Sequence, residues 1–383
     1  MLILYALSVF ALLFWIIAAS VIYTGMLKLR RLKEINPIDS GRAPRVSIVV
    51  AARNEARKIG DALTTMLRLD YPNYEVIAVN DRSEDGTGDI LDELAKHETK
   101  LRVVHITELP TGWLGKNYAL QQGAVHTDSE YLLFTDADVH YAPGVLSRAM
   151  RYAVERDLDH LCTAPKLVHM NFLMKSMVPI FSIIFLLNMR PWEAGNKDKS
   201  GHMGVGAFNL VRKKVFDKLK GIETIRLRPD EDVKLGKIIK AAGFRQEYVE
   251  NDGMLTVEWY RNAREMIHGL EKNSFAFMEY SVIRLLAGSL ISFFIFYWPI
   301  AGLFIASDTA RAINALALLP PVFLSSVIAR RLEFGWWHGF SFPLGVIPMV
   351  VAMLNSMLVT LSKNGIVWRD TFYPLELLRK NKV

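Results

Sequence analysis

The sequence predicts an α/β domain built on a mostly parallel sheet and held between apolar helices at both ends of the chain. Three observations lead there. Between residues 45 and 136, short β-branched runs alternate four times with stretches of helical spacing, the order expected of a parallel sheet with helices on its faces. Long uncharged segments occupy the N-terminus and the C-terminal third. Polar and acidic residues collect just after the predicted strands, at the edge where open α/β sheets bind ligands.

The first apolar segment, LILYALSVFALLFWIIAASVIYTGML at residues 2–27, has no charged residue, and crossing a bilayer takes roughly 20 apolar residues. KLRRLK follows it and no basic residue precedes it, so it reads as a retained anchor and not as a secretory signal. The positive-inside rule then places the central domain, residues 28–280, in the cytoplasm of an integral membrane protein. The single cysteine among 383 residues, Cys162, excludes an intramolecular disulfide and fits a reducing compartment. It reads as a small buried hydrophobe. No nucleic-acid partner is expected, and the net charge of +7 suits a membrane surface.

Within the central domain, RVSIVVAA (45–52), YEVIAVND (74–81), LRVVHI (101–106) and EYLLFTD (130–136) read as strands. The stretches 57–70, 87–97 and 115–126 between them read as helices. Residues 171–192 are apolar but contain Lys175, Pro179 and Asn188. They read as an interfacial segment lying on the membrane, with a buried helix of the domain as the alternative. Residues 281–362 hold two to three further spans, and 363–383 form a basic tail. One anchor plus three spans puts the tail opposite the catalytic domain, whereas its charge puts it on the same side. Both readings stay open.

The strand ends carry the chemistry. The first runs into Arg53, Asn54 and Glu55, the second into Asn80, Asp81, Arg82 and Ser83, and the fourth into Asp136 and Asp138. Residues two apart on a strand face the same way, so Asp136 and Asp138 can aim at one spot while Ala137 turns aside. Hard divalent cations take oxygen ligands, and Mg²⁺ commonly uses one or two carboxylates plus substrate phosphates. The pair therefore suits a metal–diphosphate complex; an Asp pair at an ordinary turn is the plainer alternative. Asp232 sits at the start of the helical stretch EDVKLGKIIKAAG, just after Glu231, and a helix N-terminus favours an ionised carboxylate.

VSIVVAARNE, VIAVNDRSEDGTGDIL, GKNYAL, LLFTDADV and RPDEDVKLGKIIKAAG occur in this order at the spacing of family-2 glycosyltransferases, which residues 45–276 resemble. The flanking apolar segments resemble the membrane-bound branch that glycosylates lipids, including hopanoid-associated, carotenoid and ceramide glycosyltransferases. The resemblance implies a GT-A fold, a Rossmann-like sheet that holds a nucleotide-sugar, here expected to be UDP-linked, with Mg²⁺ or Mn²⁺. It implies nucleoside contacts for Glu55 and Asp81, with Asp81 at the uracil ring. It places Lys116 near the diphosphate, Asp136 near the ribose and Asp138 on the metal, and it makes Asp232 the general base of an inverting reaction on a lipid hydroxyl. Residues 204–216, GVGAFNLVRKKVF, resemble the acceptor-side segment, with a tight turn before a strand as the alternative.

One departure concerns the Gln/Arg-X-X-Arg-Trp motif of ceramide-type enzymes. In EWYRNAREMIHGLEKN (258–273), Arg261 and Arg264 keep the spacing, but Glu265 and Met266 follow where Trp is expected. Arg261 and Arg264 are candidate diphosphate contacts, and a solvated helix face is the alternative. Three rival functions remain: a polyprenyl-phosphate glycosyltransferase, a processive polysaccharide synthase, and a catalytically silent membrane scaffold with the same fold. The synthase would carry the full motif and more spans.

Overall fold

The computed structural model describes residues 2–382. Along the chain the elements begin with α1 (Leu2–Met26), β1 (Val46–Ala52), α2 (Ile59–Leu67), β2 (Tyr74–Asp81), α3 (Thr87–His97) and β3 (Leu101–Ile106). Next come α4 (Gly115–Val125), β4 (Tyr131–Asp136), β5 (Val139–Tyr141), α5 (Val145–Glu155), β6 (His160–Cys162) and β7 (Lys166–Leu167). α6 (Phe172–Met189), β8 (Asn209–Arg212), α7 (Lys213–Lys218), α8 (Glu231–Ala241), β9 (Gln246–Tyr248) and β10 (Leu255–Val257) follow. The last third holds α9 (Ala263–Gly269), α10 (Ser274–Phe277), α11 (Val282–Ile305), α12 (Asp308–Ala317), α13 (Leu319–Arg331) and α14 (Phe342–Ser362). A short hairpin, β11 (Gly365–Trp368) and β12 (Thr371–Pro374), leads into α15 (Leu375–Lys380).

These elements form two compact units. One comprises residues 29–168, 191–258 and 376–383; the other comprises residues 1–28, 169–190 and 259–375. The helical unit thus takes in α6 and residues 259–280 as well as the N-terminal helix and residues 281–375, a division the hydropathy pattern does not draw.

The first unit is the α/β domain. Its seven-stranded sheet has the order β3-β2-β1-β4-β8-β6-β9. The four strands expected from the alternating pattern are all present, and β3, β2, β1 and β4 run parallel. β8 runs antiparallel to both β4 and β6, and β6 and β9 are parallel. β1 is buried along nearly its whole length, as a strand covered on both faces must be. α4 and α8 lie over the sheet, with Leu120, Leu235 and Ile239 packing with Val49, Phe134 and Val211 in one core. Gly123 on α4 permits the close approach: a Cβ there would sit 2.3 Å from the Val49 side chain.

The chain leaves β1 toward β2 and β3 on one side, and β4 lies on the other. The switch point of the sheet is therefore between β1 and β4. The register pairs Ala51 with Asp136 and Ala52 with Asn80, so the carboxyl ends of β1, β2 and β4 finish level. Open α/β sheets place ligands at such a crevice.

In the helical unit, five helical stretches are long and apolar enough to cross a membrane: Leu2–Met26, Phe172–Glu193, Val282–Ile305, Asp308–Arg331 and Trp336–Ser362. Their contacts use small residues. A Cβ at Gly345 of α14 would meet the Ser176 carbonyl of α6 at 2.2 Å, so the two helices approach backbone to backbone. Trp15 of α1 donates its indole N–H to the Ile295 carbonyl of α11 at 2.7 Å.

Candidate active site

The loops after β1 and β2 are laced together by their own polar side chains. The Asn54 N–H donates to Ser83 Oγ at 3.0 Å, and the Glu84 N–H donates to Asn54 Oδ1 at 2.9 Å. Asp85 accepts from the Ala56 and Thr87 N–H groups, and Thr87 Oγ1 accepts from the Glu55 N–H at 2.8 Å. Asn54 and Arg82 sit at positive φ, where Asn and Gly are the usual residues. The turns are over-determined by these bonds, and they hold Glu55 and Asp81 at the sheet edge. Asp81 is buried, and Arg82 Nε donates to its Oδ1 at 2.7 Å. Gly115, the first residue of α4, passes so close that a Cβ there would lie 2.3 Å from Asp81 Oδ2.

The next residue of α4, Lys116, places its ammonium between two carboxylates. It lies 2.6 Å from Asp136 Oδ1 at the end of β4 and 2.6 Å from Glu231 Oε1 at the start of α8. Those carboxylates, with Asp232, outweigh the cost of burying the ammonium and hold the Lys116 pKa above its ordinary value. Asp232 sits beside this group. Its Oδ2 accepts from the Gly206 N–H at 2.7 Å and its Oδ1 from the Val233 N–H at 2.8 Å. Burial, with the neighbouring Glu231, raises Asp232 to about 7, and Lys116 opposes that shift. A carboxyl group that titrates near neutrality, in a cleft, can both accept and release a proton there.

Asp138 follows β4 by two residues and meets a different lysine. Lys58 Nζ lies 3.1 Å from Asp138 Oδ2 and 3.8 Å from Glu258 Oε2. Burial and the adjacent Asp136 push the Asp138 carboxyl up, against the pull of Lys58. Two carboxylates that disfavour each other's charge and each hold an ammonium make a cation-seeking pair of hard oxygen donors. Among the described residues no group of three or more His, Cys, Asp or Glu side chains is arranged to hold a metal. Two carboxylates leave most of a divalent cation's ligand positions to other oxygen donors, which Mg²⁺ sites commonly fill with water and substrate phosphates.

Lys116, Asp136 and Asp232 are thus brought together, Asp138 stands next to them, and Glu55 and Asp81 line the same sheet edge. Arg261 and Arg264 belong to the helical unit. Arg261 precedes α9, where its N–H donates to Glu265 Oε2 at 3.1 Å, and Asn262 caps that helix by accepting from the Glu265 N–H at 2.9 Å. Residues 205–208 form a turn before β8, closed by the Phe208 N–H on the Val205 carbonyl at 3.0 Å. Cys162 is fully buried, and burial pushes its thiol pKa well up, as an inert core cysteine requires.

Sequence reasoning missed several residues at this site. Lys58 follows the β1 loop without any motif of its own. Asn117, fully buried on α4, donates to the Ile225 and Arg228 carbonyls at 3.0 and 2.9 Å, which fixes the segment leading into α8. Arg228 is 1% exposed and grips Asp230 with two bonds, at 2.8 and 2.9 Å.

Comparison with known proteins agrees with this architecture. A solved mannosyltransferase from Pyrobaculum calidifontis, in complex with GDP-Man and Mn²⁺, superposes with a TM-score of 0.57 over 93% of this chain and 98% of its own, at 18% identity. That likeness establishes the GT-A-like fold. A beta-monoglucosyldiacylglycerol synthase from Trichormus variabilis is 42% identical over 108 residues, which cover 28% of this chain. A 4,4'-diaponeurosporenoate glycosyltransferase from Staphylococcus haemolyticus is 23% identical over 60% of each chain. The match to the diacylglycerol enzyme spans only about a quarter of that relative, 23% of its length. The family model for glycosyl transferase family 2 matches residues 47–220, from β1 to the end of α7. Residues 47–220, which supply β1 to β8 and the crevice at the carboxyl ends of β1, β2 and β4, are thus the part of this chain that matches glycosyl transferase family 2.

Proposed function

We propose that the protein is a membrane-bound inverting glycosyltransferase that moves a sugar from a UDP-linked donor to a lipid hydroxyl, with the catalytic domain in the cytoplasm. The observation that carries this reading is the convergence of Asp136, Asp138, Lys116 and Asp232 at the switch point of a GT-A-like sheet. The lipid class of acceptor is supported by the diacylglycerol and diaponeurosporenoate enzymes among the relatives, and by the apolar helices.

In this reading Glu55 and Asp81 hold the nucleoside, and Lys116 turns its ammonium toward the diphosphate. A divalent cation on Asp138, with Asp136 beside it, would offset the charge that the leaving diphosphate gains. Asp232 accepts the proton of the attacking hydroxyl, and the Gly206 N–H fixes which oxygen faces the acceptor. One base opposite one leaving group is the minimal equipment of single displacement, which inverts the anomeric centre. Arg261 and Arg264 are further candidates for the diphosphate.

The test is binding of UDP and of GDP to detergent-purified protein, with and without Mn²⁺, for the native chain and for Asp138→Ala. Metal-dependent UDP binding that Asp138→Ala abolishes supports the reading. Binding indifferent to metal and substitution refutes the metal–diphosphate assignment, and a preference for GDP replaces the donor. Turnover of the preferred nucleotide-sugar against a lipid extract then identifies the acceptor.

A further inference from the structure

Behind Asp232, three short strands place three polar side chains in a row on one face of the sheet. Gln246 on β9 is the direct register partner of His160 on β6. Asn209 on β8 lies diagonally across from His160, two positions along the antiparallel register. All three are at most 2% exposed. Apolar side chains would fill such a row with no desolvation cost, so the polar set calls for a reason.

The hydrogen bonds form one directed chain. The Met203 N–H donates to Gln246 Oε1 at 2.9 Å. Gln246 Nε2 donates to the Gly236 carbonyl at 2.9 Å and to His160 Nδ1 at 2.7 Å. With Nδ1 accepting, His160 carries its proton on Nε2 and donates it to Asn209 Oδ1. Asn209 Nδ2 then reaches the Asp232 carbonyl at 3.4 Å. His160 stays neutral because burial holds it down at about 4.

The chain ties together two backbones that already touch. A Cβ on Gly204 would fall 1.8 Å from the Asp232 carbonyl oxygen, and one on Gly236 would fall 1.9 Å from the Met203 carbonyl oxygen. The 203–206 loop and the first turns of α8 are therefore in direct main-chain contact. The far end of the loop is anchored as well, since the Ala207 carbonyl accepts from Thr135 Oγ1 at 2.8 Å and from the Tyr141 hydroxyl at 3.0 Å. Between the two anchors lies Gly206, whose N–H meets the Asp232 carboxylate.

We infer that Gln246, His160 and Asn209 are positioning residues, which lock the 203–206 loop onto α8 so that the Gly206 N–H holds the Asp232 carboxylate in its working orientation. They touch no substrate and move no proton. The inference rests on the reading of Asp232 as the base. Its stake is geometric: a misplacement of about 1 Å at a reacting group costs on the order of 10²-fold in rate.

Two readouts on the full-length protein in detergent test it. The first needs no substrate: hydrogen exchange of the 203–208 segment, measured by mass spectrometry. Gln246→Leu and His160→Leu should speed exchange there about tenfold or more while the β1–β4 strands keep their protection. The second is turnover, where kcat should fall roughly 10- to 100-fold with UDP affinity unchanged. His160→Gln, which can donate and accept in the same row, should recover most of the loss. Gln246→Glu keeps the acceptor for Met203 but gives up donor capacity, and it covers the case in which the leucine variants do not fold. Unchanged exchange in the 203–208 segment of a folded variant overturns the inference. Asp232→Asn separates the two readings. If it is inactive while Gln246→Glu turns over normally, only the positioning inference falls; if it is active, the base assignment falls and takes the inference with it.

Discussion

Replacing Asp232 with Asn removes the proposed proton acceptor while nearly preserving its shape. The native carboxylate receives two backbone donors, from Gly206 and Val233, one on each oxygen. The amide can accept only one of them and must set its NH₂ against the other, so some reorientation accompanies the loss of basicity. General-base catalysis is worth about 10²- to 10⁴-fold, which sets the expected fall in kcat at pH 8. The native enzyme should also lose activity on acidification. Asp232 is held at about 7, up from 3.8, so a single titration leaves about half of it ionised at pH 7 and about a tenth at pH 6, a roughly fivefold drop in rate. Stability runs the opposite way. A carboxyl group whose folded pKa lies above its unfolded value supports the fold most below the unfolded pKa, and that support is lost as pH rises through about 7. Asp232→Asn should therefore gain thermal stability relative to the native chain between pH 4 and pH 8. The assay is transfer from the preferred nucleotide-sugar to lipid extract across that range, alongside thermal unfolding. An Asn variant within roughly threefold of native kcat would refute the base assignment.

Further outcomes follow from neighbouring contacts. Arg228→Met leaves the buried Asp230 with the longer Lys234 contact at 3.9 Å in place of its two-bond partner, and should destabilise the α/β unit by about 3 kcal/mol in urea unfolding. Gly115→Ala drives a methyl toward Asp81, and UDP affinity by calorimetry should weaken about tenfold with the fold intact. Asn381 accepts from the Leu227 N–H at 2.9 Å and donates to the Thr224 carbonyl at 3.0 Å. Asn381→Ala should thus loosen the segment ahead of α8 by about 1–2 kcal/mol, read as faster hydrogen exchange confined to residues 221–230.

The sheet was legible because burial leaves a plain trace: β1, β2 and β4 are buried on both faces and read as continuous apolar runs. The acids at their ends were legible for the same reason, since a carboxylate closing such a run stands out. The direction of β8 was not. A four-residue strand has the same pattern whichever way it runs, and its pairing with β4 depends on where the chain re-enters after α6. Nor did pattern reveal Lys58 or the Gln246–His160–Asn209 row. Each is a single polar residue on a short element, and only the register of three strands makes the row a unit.

The way the chain threads in and out of the α/β unit limits how it can be drawn in a bilayer. α6 is apolar and long enough to span, yet residues 168 and 191 on either side of it both belong to the α/β unit, and β6 and β8, which flank it, are paired neighbours in one sheet. A segment that leaves and rejoins one water-exposed body crosses an even number of times, and a single helix cannot cross twice. With the α/β unit held on one side of the bilayer, as proposed, α6 would return the chain to the side it left, which is the interfacial reading of its sequence. The same parity governs residues 259–375. They too start from and return to the α/β unit, where Asn381 is bonded. Under the same proposed placement, at most two of the three apolar helical stretches in that interval would traverse, and the basic tail would share a compartment with Asp136, Asp138 and Asp232.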